Sequence, residues 1–186
     1  MSADDRQRRL EIVSRAIKSI PDYPKKGVLF RDISSMCQDP EAFGICIDLM
    51  AEAFSGDRIQ KVVCAEARGF VFGAPLAYRL KAGLVLVRKP GKLPRETISQ
   101  DYELEYGMST LQLHKDAIAP GERVLLVDDL VATGGTIEAM ITLVRKLQGE
   151  IVKAAFVIDL EDLGGIRRIR QNCGVESFAL LKFPGH

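Results

Sequence analysis

Two adjacent acids, Asp128 and Asp129, followed by the small-residue turn Ala132-Thr133-Gly134-Gly135-Thr136, are the residues whose types and spacing say most about chemistry. Residues 124–127 ahead of them are four consecutive apolar residues with valine at both ends, too few for a helix and suited to a buried strand. The acids are expected to end that strand at the carboxyl edge of a sheet. Beyond the turn, apolar residues at 137, 140, 141, 144 and 147 follow a helical spacing. A strand, a small-residue turn and a helix in succession direct free backbone N–H groups and a positive helix end at one spot. That spot suits a phosphate. The acids beside it suit sugar hydroxyls, or a magnesium ion that travels with phosphates. Helix capping would account for one acid at most. A Walker A loop needs Gly-Lys followed by Ser or Thr, but Gly91-Lys92 is followed by Leu93. A dinucleotide fingerprint needs two glycines one residue apart, and no two glycines here are so spaced.

Other candidates carry positive charge. Arg68 lies in the loop Glu66-Ala67-Arg68-Gly69 that follows the strand at 61–65, and it precedes Gly69. A cation at a strand end, next to a residue that lets backbone come close, suits a pyrophosphate; the plain structural alternative is an ion pair with Glu66. Arg88, Lys89, Lys92 and Arg95 put four cations into eight residues with no acid among them. Such a run is ordinarily a solvated loop, and a pyrophosphate would give it a role. The polar, Pro- and Gly-containing segment from about 88 to 108 is weakly patterned, and a long irregular segment in a compact domain is commonly a lid.

The elements that must position these groups follow from periodicity. Residues 4–20 read as an amphipathic helix ended by Pro21-Asp22-Tyr23-Pro24. Residues 28–30 are a short extended piece. Asp39-Pro40-Glu41 opens a helix running to about Ser55, with Asp as cap and Pro in the first turn. Residues 61–65, 84–87, 123–127, 151–160 and 176–181 read as strands, and 70–81, 137–147 and 164–171 as helices, with Gly83 ending the helix at 70–81. Strands alternating with helices, several of them continuous Val/Ile/Leu runs, imply an α/β fold with a mostly parallel central sheet flanked by helices. In such sheets the ligand crevice lies at the carboxyl ends of the strands.

Composition narrows the function classes. At 186 residues a single domain, 1–186, is expected, with a core that needs no disulfide staples. A formal net charge of +1 gives no general attraction to nucleic acid or membrane, so neither is expected as a partner. The first residues mix charges and lack the apolar run of a signal peptide. Four cysteines form no C-x-x-C pair, and with two histidines a zinc cluster is not expected. Cys46 and Cys64 sit in apolar runs and read as small buried hydrophobes. A reduced, cytoplasmic protein is the expectation.

Taken together, five motifs resemble the adenine phosphoribosyltransferases, a family of the type I phosphoribosyltransferases, over nearly the whole chain. They are Val28-Leu29-Phe30-Arg31-Asp32-Ile33, Arg68-Gly69-Phe70, Arg88-Lys89 with Gly91-Lys92-Leu93-Pro94, Leu104-Glu105-Tyr106-Gly107, and Val127-Asp128-Asp129-Leu130 with Ala132-Thr133-Gly134-Gly135-Thr136. The resemblance implies the type I fold, with a small N-terminal hood that contributes the base site (about 1–35) and a flexible lid loop (about 88–108). It implies a magnesium-dependent purine-salvage reaction in which adenine and 5-phosphoribosyl 1-pyrophosphate (PRPP) give AMP and pyrophosphate, in a homodimer. It assigns the 5′-phosphate to Ala132, Thr133, Gly134, Gly135 and Thr136, and the ribose hydroxyls to Asp128 and Asp129. It gives pyrophosphate to Glu66, Ala67, Arg68, Gly69, Arg88, Lys89 and Lys92, with Arg88 reaching a neighbouring subunit and a cis peptide between Glu66 and Ala67. Many relatives have Ser where this chain has Ala67, which removes one hydroxyl contact. Leu29, Phe30 and Arg31 would hold adenine, Phe30 by stacking and Arg31 through its backbone. Glu105 would be the acid/base, Tyr106 a lid residue. No direct metal ligand is implied: Mg2+ would arrive with PRPP and reach Asp128 through water.

Two other readings remain at this stage: a PRPP-sensing regulator on the same fold, and a phosphoribosyltransferase for another base. The first would be expected to carry a nucleic-acid-binding region. The Phe30-Arg31 and Glu105 motifs argue for adenine against the second.

Overall fold

The structure, a computed structural model, describes residues 3–103 and 107–185. Its first element is shorter than periodicity suggests. Helix α1 (Ala3–Ala16) stops because Ser35 supplies a tertiary cap: its hydroxyl donates to the Ala16 carbonyl at 2.7 Å and accepts from the Lys18 N–H at 3.0 Å. The chain then leaves the helix, and Lys18–Pro21 forms β1, antiparallel to β2 (Leu29–Asp32) with Ile20 opposite Phe30. Asp32 caps the short α2 (Ile33–Cys37) by accepting from the Ser34 N–H at 3.0 Å. Asp39 caps α3 (Pro40–Phe54), accepting from the N–H groups of Glu41 and Ala42 at 2.9 and 3.1 Å, with Pro40 in the first turn as expected.

Strand β3 (Lys61–Ala65) leads into α4 (Arg68–Leu80), and β4 (Gly83–Val87) follows. Helix α4 is closed by Lys81 in the left-handed region (φ 54°), while Gly83 opens the next strand rather than ending the helix. The segment from 88 to 108, read as irregular, contains β5 (Thr97–Glu103), which pairs antiparallel with β6 (Met108–His114). Leu111 and Leu113 alternate with polar neighbours and are buried, so this hairpin is anchored by one apolar face. Strand β7 (Arg123–Val131) then runs four residues beyond the expected end, straight through both acids. Its neighbour is the reason: β8 (Glu150–Leu160), reached through α5 (Gly135–Lys146), pairs with Asp128, Leu130 and Val131 and keeps the ladder going. A 3₁₀ turn (Glu161–Leu163), α6 (Gly165–Cys173) and β9 (Ser177–Phe183) complete the chain.

The central sheet has five parallel strands in the order β4-β3-β7-β8-β9. Both faces are covered, so the central stretches of its inner strands, such as 62–65, 124–127 and 154–158, are continuous apolar runs. Along β3, Val62 and Cys64 pack into a core with α1, α3 and α4, whereas Val63 and Ala65 pack into a second core with α5, α6 and β6. Burying each such aliphatic side chain stabilises the fold by about 1.5–3 kcal/mol. Cys46 and Cys64 are fully buried, and desolvation pushes their thiols up to about 12, so they behave as small hydrophobes.

The topology fixes where ligands can go. From β3 the chain steps outward to β4 and then returns to the other side of β3 for β7. The strand order reverses there, and a crevice opens beyond the carboxyl ends of β3 and β7. The loops that follow these two strands, at 66–67 and 132–134, therefore lie side by side.

Candidate active site

At the end of β7 the two acids face α4. A Cβ built on Gly69 would lie 2.9 Å from Asp128 Oδ1 and 3.3 Å from the Val127 carbonyl, so glycine here lets α4 begin directly against the acidic strand. Asp128 Oδ1 also accepts from the Asp129 N–H at 2.9 Å. Arg68, at the first position of α4, lies with Nε 3.0 Å from Asp129 Oδ2. This is an ion pair rather than a well-directed hydrogen bond, because that buried oxygen has no hydrogen-bond partner. Glu66, the alternative partner for Arg68, instead takes Arg88: Nε of Arg88 lies 2.7 Å from Oε2, and the Lys89 N–H donates to Oε1 at 3.2 Å.

The electrostatics follow from burial and pairing. Burial, then the neighbouring charge of Asp129, pushes Asp128 well above the ordinary carboxylate range. Burial also raises Asp129, but Arg68 opposes it, so Asp128 is the member that keeps a proton longest. Glu66 goes the other way. Burial works to raise it, yet the hydrogen bonds from Arg88 and the Lys89 N–H outweigh burial and leave it below its usual range.

Two helix starts point at this crevice without side-chain caps. Gly134, in the left-handed region (φ 89°), begins α5, and Ala67 begins α4. Neither acid caps α5, so its first-turn N–H groups are free to meet an anion. A serine at 67 could have capped α4; alanine does not. The peptide between Glu66 and Ala67 is cis, as the resemblance implies. A cavity of about 150 Å³ is lined by Arg68, Asp128, Asp129 and the turn from Ala132 to Thr136. The expected 5′-phosphate, ribose and Arg68 positions are thus brought together around one opening.

The remaining predicted residues lie around it. Leu29, Phe30 and Arg31 sit on β2, partly buried. Because β1 and β2 form a two-stranded sheet, the outer edge of β2 is unpaired and offers alternate N–H and C=O groups outward. The Arg31 side chain is turned to structure: its Nη1 donates to Ser19 Oγ, and its guanidinium sits 4.6 Å from the centre of the Phe183 ring at the end of β9. Arg88 joins β6 through paired backbone bonds with Gln112, at 2.9 and 2.7 Å, while Lys89 and Lys92 have exposed side chains. These cations line the β4 edge rather than the opening by Asp128. Glu105 and Tyr106 lie outside the described residues. Glu103, before them, places its carbonyl against the helix start: a Cβ on Gly135 would lie 3.0 Å from it.

Several supporting residues were not evident from the sequence. Glu138, on the first turns of α5, is gripped by Arg168 through Nε and Nη2 at 3.0 and 2.6 Å and by Asn172 at 2.8 Å. Lys146 ties α5 to the hairpin by donating to the Ser99 carbonyl at 2.8 Å and to Gln100 at 3.0 Å. Gly165 lets α6 seat on the turn, since a Cβ there would meet the Ala132 carbonyl at 2.4 Å. The Gly164-Gly165 pair was a visible signal of close approach; the Glu138 clamp joins residues 30 and 34 positions apart and left no local signature.

Comparison with known proteins agrees with this geometry. The phosphoribosyl transferase domain family matches residues 33–171. An adenine phosphoribosyltransferase of Shigella flexneri serotype 5b is 57% identical over 178 residues, which cover 96% of this chain and 97% of its own length. The crystal structure of the adenine phosphoribosyltransferase from Thermoanaerobacter pseudethanolicus superposes with a TM-score of 0.88 at 49% identity, covering 94% of this chain and 99% of that one. The enzyme from Saccharomyces cerevisiae, in complex with an imino-altritol bisphosphate and adenine, gives 0.86 at 36% identity, with 94% and 99% covered. With most of its length matched at such identity, and with the uncapped helix start and acid pair in place, the chain belongs to the adenine phosphoribosyltransferases.

Proposed function

We propose that the protein transfers the 5-phosphoribosyl group of PRPP to N9 of adenine, giving AMP and pyrophosphate in purine salvage. The observation that carries this reading is the convergence of the uncapped α5 start, Arg68 and the Asp128–Asp129 pair on one opening. The N–H groups of α5 and the hydroxyls of Thr133 and Thr136 bind the 5′-phosphate. Asp128 and Asp129 accept from the ribose hydroxyls. As pyrophosphate departs, positive charge develops on C1 and the ring oxygen, and the adjacent carboxylates stabilise that transition state more than the ground state. Arg68 and the backbone of 66–69 take the departing pyrophosphate. Magnesium fits this acidic donor set as part of the substrate: carried by PRPP, it would be held through water by Asp128, beside Asp129, whose buried Oδ2 has no hydrogen-bond partner. When bound, it neutralises phosphate charge.

Phe30 stacks on adenine, with Leu29 beside it. The backbone of Arg31 accepts from the exocyclic amine and donates to N1. Hypoxanthine reverses both polarities and is rejected because buried groups are left mismatched. Glu105 hydrogen-bonds N7 and acts as the general acid/base of the imidazole ring, which loses one proton as N9 bonds to C1, and Tyr106 belongs to the lid that excludes water.

The whole chain acts as one unit in this reading, its hood contributing the base site. The second copy of a homodimer is proposed to cover the α4 face, where Tyr78 is 83% and Val71 42% exposed, and the neighbouring β4 edge, where Leu84 is 41% exposed. Arg88 and Lys92 lie beside that edge in a depression of about 560 Å³ that excludes the phosphate turn, a place from which they reach a partner's pyrophosphate. Sedimentation equilibrium should return twice the chain mass, and Tyr78→Glu should shift it toward the monomer. Among the described residues no helix is long and apolar enough to cross a membrane, and the cysteines are all free thiols. The thiols suit the reducing cytoplasm, where cell fractionation should find the protein.

The direct test is AMP formation from PRPP, magnesium and adenine, with hypoxanthine and guanine in parallel. Turnover with adenine alone is expected; turnover with another base would overturn the reading of Phe30 and Arg31, and PRPP binding without turnover would favour a regulator. Glu105→Ala is expected to lower kcat by about 10²–10⁴; a loss under about tenfold would remove the acid/base role.

Asp128 also makes stability depend on pH. An acid whose folded pKa is raised holds its proton longer in the native state, so its contribution to stability is lost as pH climbs from about 4 to the raised value. Asp128→Asn, which keeps the acceptor for the Asp129 N–H, should therefore raise Tm of the ligand-free protein at neutral pH. That gain should shrink to nothing below the ordinary carboxylate range, while activity falls. Thermal melts at several pH values check this, and a Tm gain independent of pH would contradict it.

A further inference from the structure

Phe30 does not sit in either hydrophobic core. Phe30 is partly buried, and its cross-strand partner Ile20 is 38% exposed. What does touch it is Tyr23, whose ring centre lies 5.1 Å away with the planes inclined at 72°, an edge-to-face pair. Tyr23 is itself 54% exposed and stands in the turn that joins β1 to β2. That turn is internally tied. Asp22 Oδ1 accepts from the Gly27 N–H at 2.8 Å, the Tyr23 N–H donates to the Val28 carbonyl at 3.3 Å, and the Val28 N–H donates to the Lys25 carbonyl at 3.2 Å. Gly27 supplies the left-handed residue (φ 87°) the turn needs. A half-exposed aromatic side chain on a tied turn, with a second ring as its aromatic partner, is placed to hold that ring rather than to fill a core.

We propose that Tyr23 is a positioning residue for the base site: its ring fixes the plane of Phe30 before the base arrives, and so sets the affinity for adenine without acting on the chemical step. This rests on the reading that Phe30 stacks on adenine. A phenyl ring free to rotate must be immobilised when a planar base stacks on it. A ring already held edge-to-face has lost that freedom beforehand, so less binding free energy is spent on ordering it. The phosphate half of the site, on α4, β7 and α5, is built from other elements and should be unaffected.

The experiment is steady-state kinetics on Tyr23→Ala, Tyr23→Phe and Phe30→Ala, with KM for adenine, KM for PRPP and kcat measured separately and Tm recorded for each. Tyr23→Ala is expected to raise KM for adenine about three- to tenfold, leaving KM for PRPP and kcat within about twofold. Tyr23→Phe, which keeps the ring and loses the hydroxyl, should restore KM for adenine. If Phe30→Ala raises KM for adenine and Tyr23→Ala does not, Tyr23 does not position the ring and the proposal falls while the stacking reading stands. If Phe30→Ala leaves it unchanged, the stacking reading falls and takes the proposal with it. A rise in both KM values, or a failure of Tyr23→Phe to restore, would assign Tyr23 to hood folding or to its hydroxyl and overturn the ring argument.

Discussion

Two carboxylates on consecutive residues at the buried end of a strand are unfavourable on their own, and much of the structure answers that. Desolvation and mutual repulsion both resist their ionisation. The fold places one cation, Arg68, against Asp129, and brings two helix starts to the same opening, each a partial positive charge. The helix starts are left uncapped, so the positive field there is not spent on a protein acid. Gly69 is required for α4 to come this close. A pair held in this state favours whatever positive charge comes next, which in the proposed reaction is the sugar as its bond to pyrophosphate breaks.

The two halves of the site are built differently. The phosphate half stands on the middle of the sheet and is braced from behind. Arg168 and Asn172 grip Glu138, and α6 seats on the turn through Gly165, so the turn is fixed from several elements at once. The proposed base half is a two-stranded ribbon tied to the body at the end away from its turn, by Ser35 through the Lys18 N–H and by the Arg31–Phe183 contact beside it. A small ribbon with an unpaired edge is a weaker support than a sheet centre. It offers what a sheet centre cannot: an edge whose N–H and C=O groups have no neighbouring strand.

The central sheet was legible because its strands are buried on both faces. Runs such as residues 61–65 need no partner to be read, and Asp39-Pro40-Glu41 announces α3 with its own cap. What was missed depends on residues distant in sequence. Ile17 and Ile20 continue the helical spacing of residues 4–20, and only Ser35, far along the chain, stops α1 at Ala16. The acids at 128–129 look like a strand end, and only the length of β8 carries β7 on to Val131. The hairpin of β5 and β6 was obscured by its charged, glycine- and proline-containing approach, although Leu111 and Leu113 already alternate as one buried face. The acid pair and the small-residue turn were legible because they lie in one contiguous stretch, 128–136, whereas the supporting residues Glu138, Ser35 and Phe183 show nothing of their role until the chain is folded.

Arg68 shows how the contacts around the opening are divided. It pairs with Asp129, and Glu66, which could have competed for it, is taken by Arg88 and the Lys89 N–H. That division matters. An arginine shared with Glu66 would be drawn toward the β4 edge, away from the opening. Paired, among the described residues, with Asp129 through a contact whose N–H direction is poor, and with about half of its side chain exposed, Arg68 can turn to a phosphate at little cost. Asp129 would then lose its partner at the moment a ribose, and the cation that accompanies the phosphates, arrives beside it. The Arg68–Asp129 contact is thus poorly directed, whereas the Glu66–Arg88 pair is short and well formed.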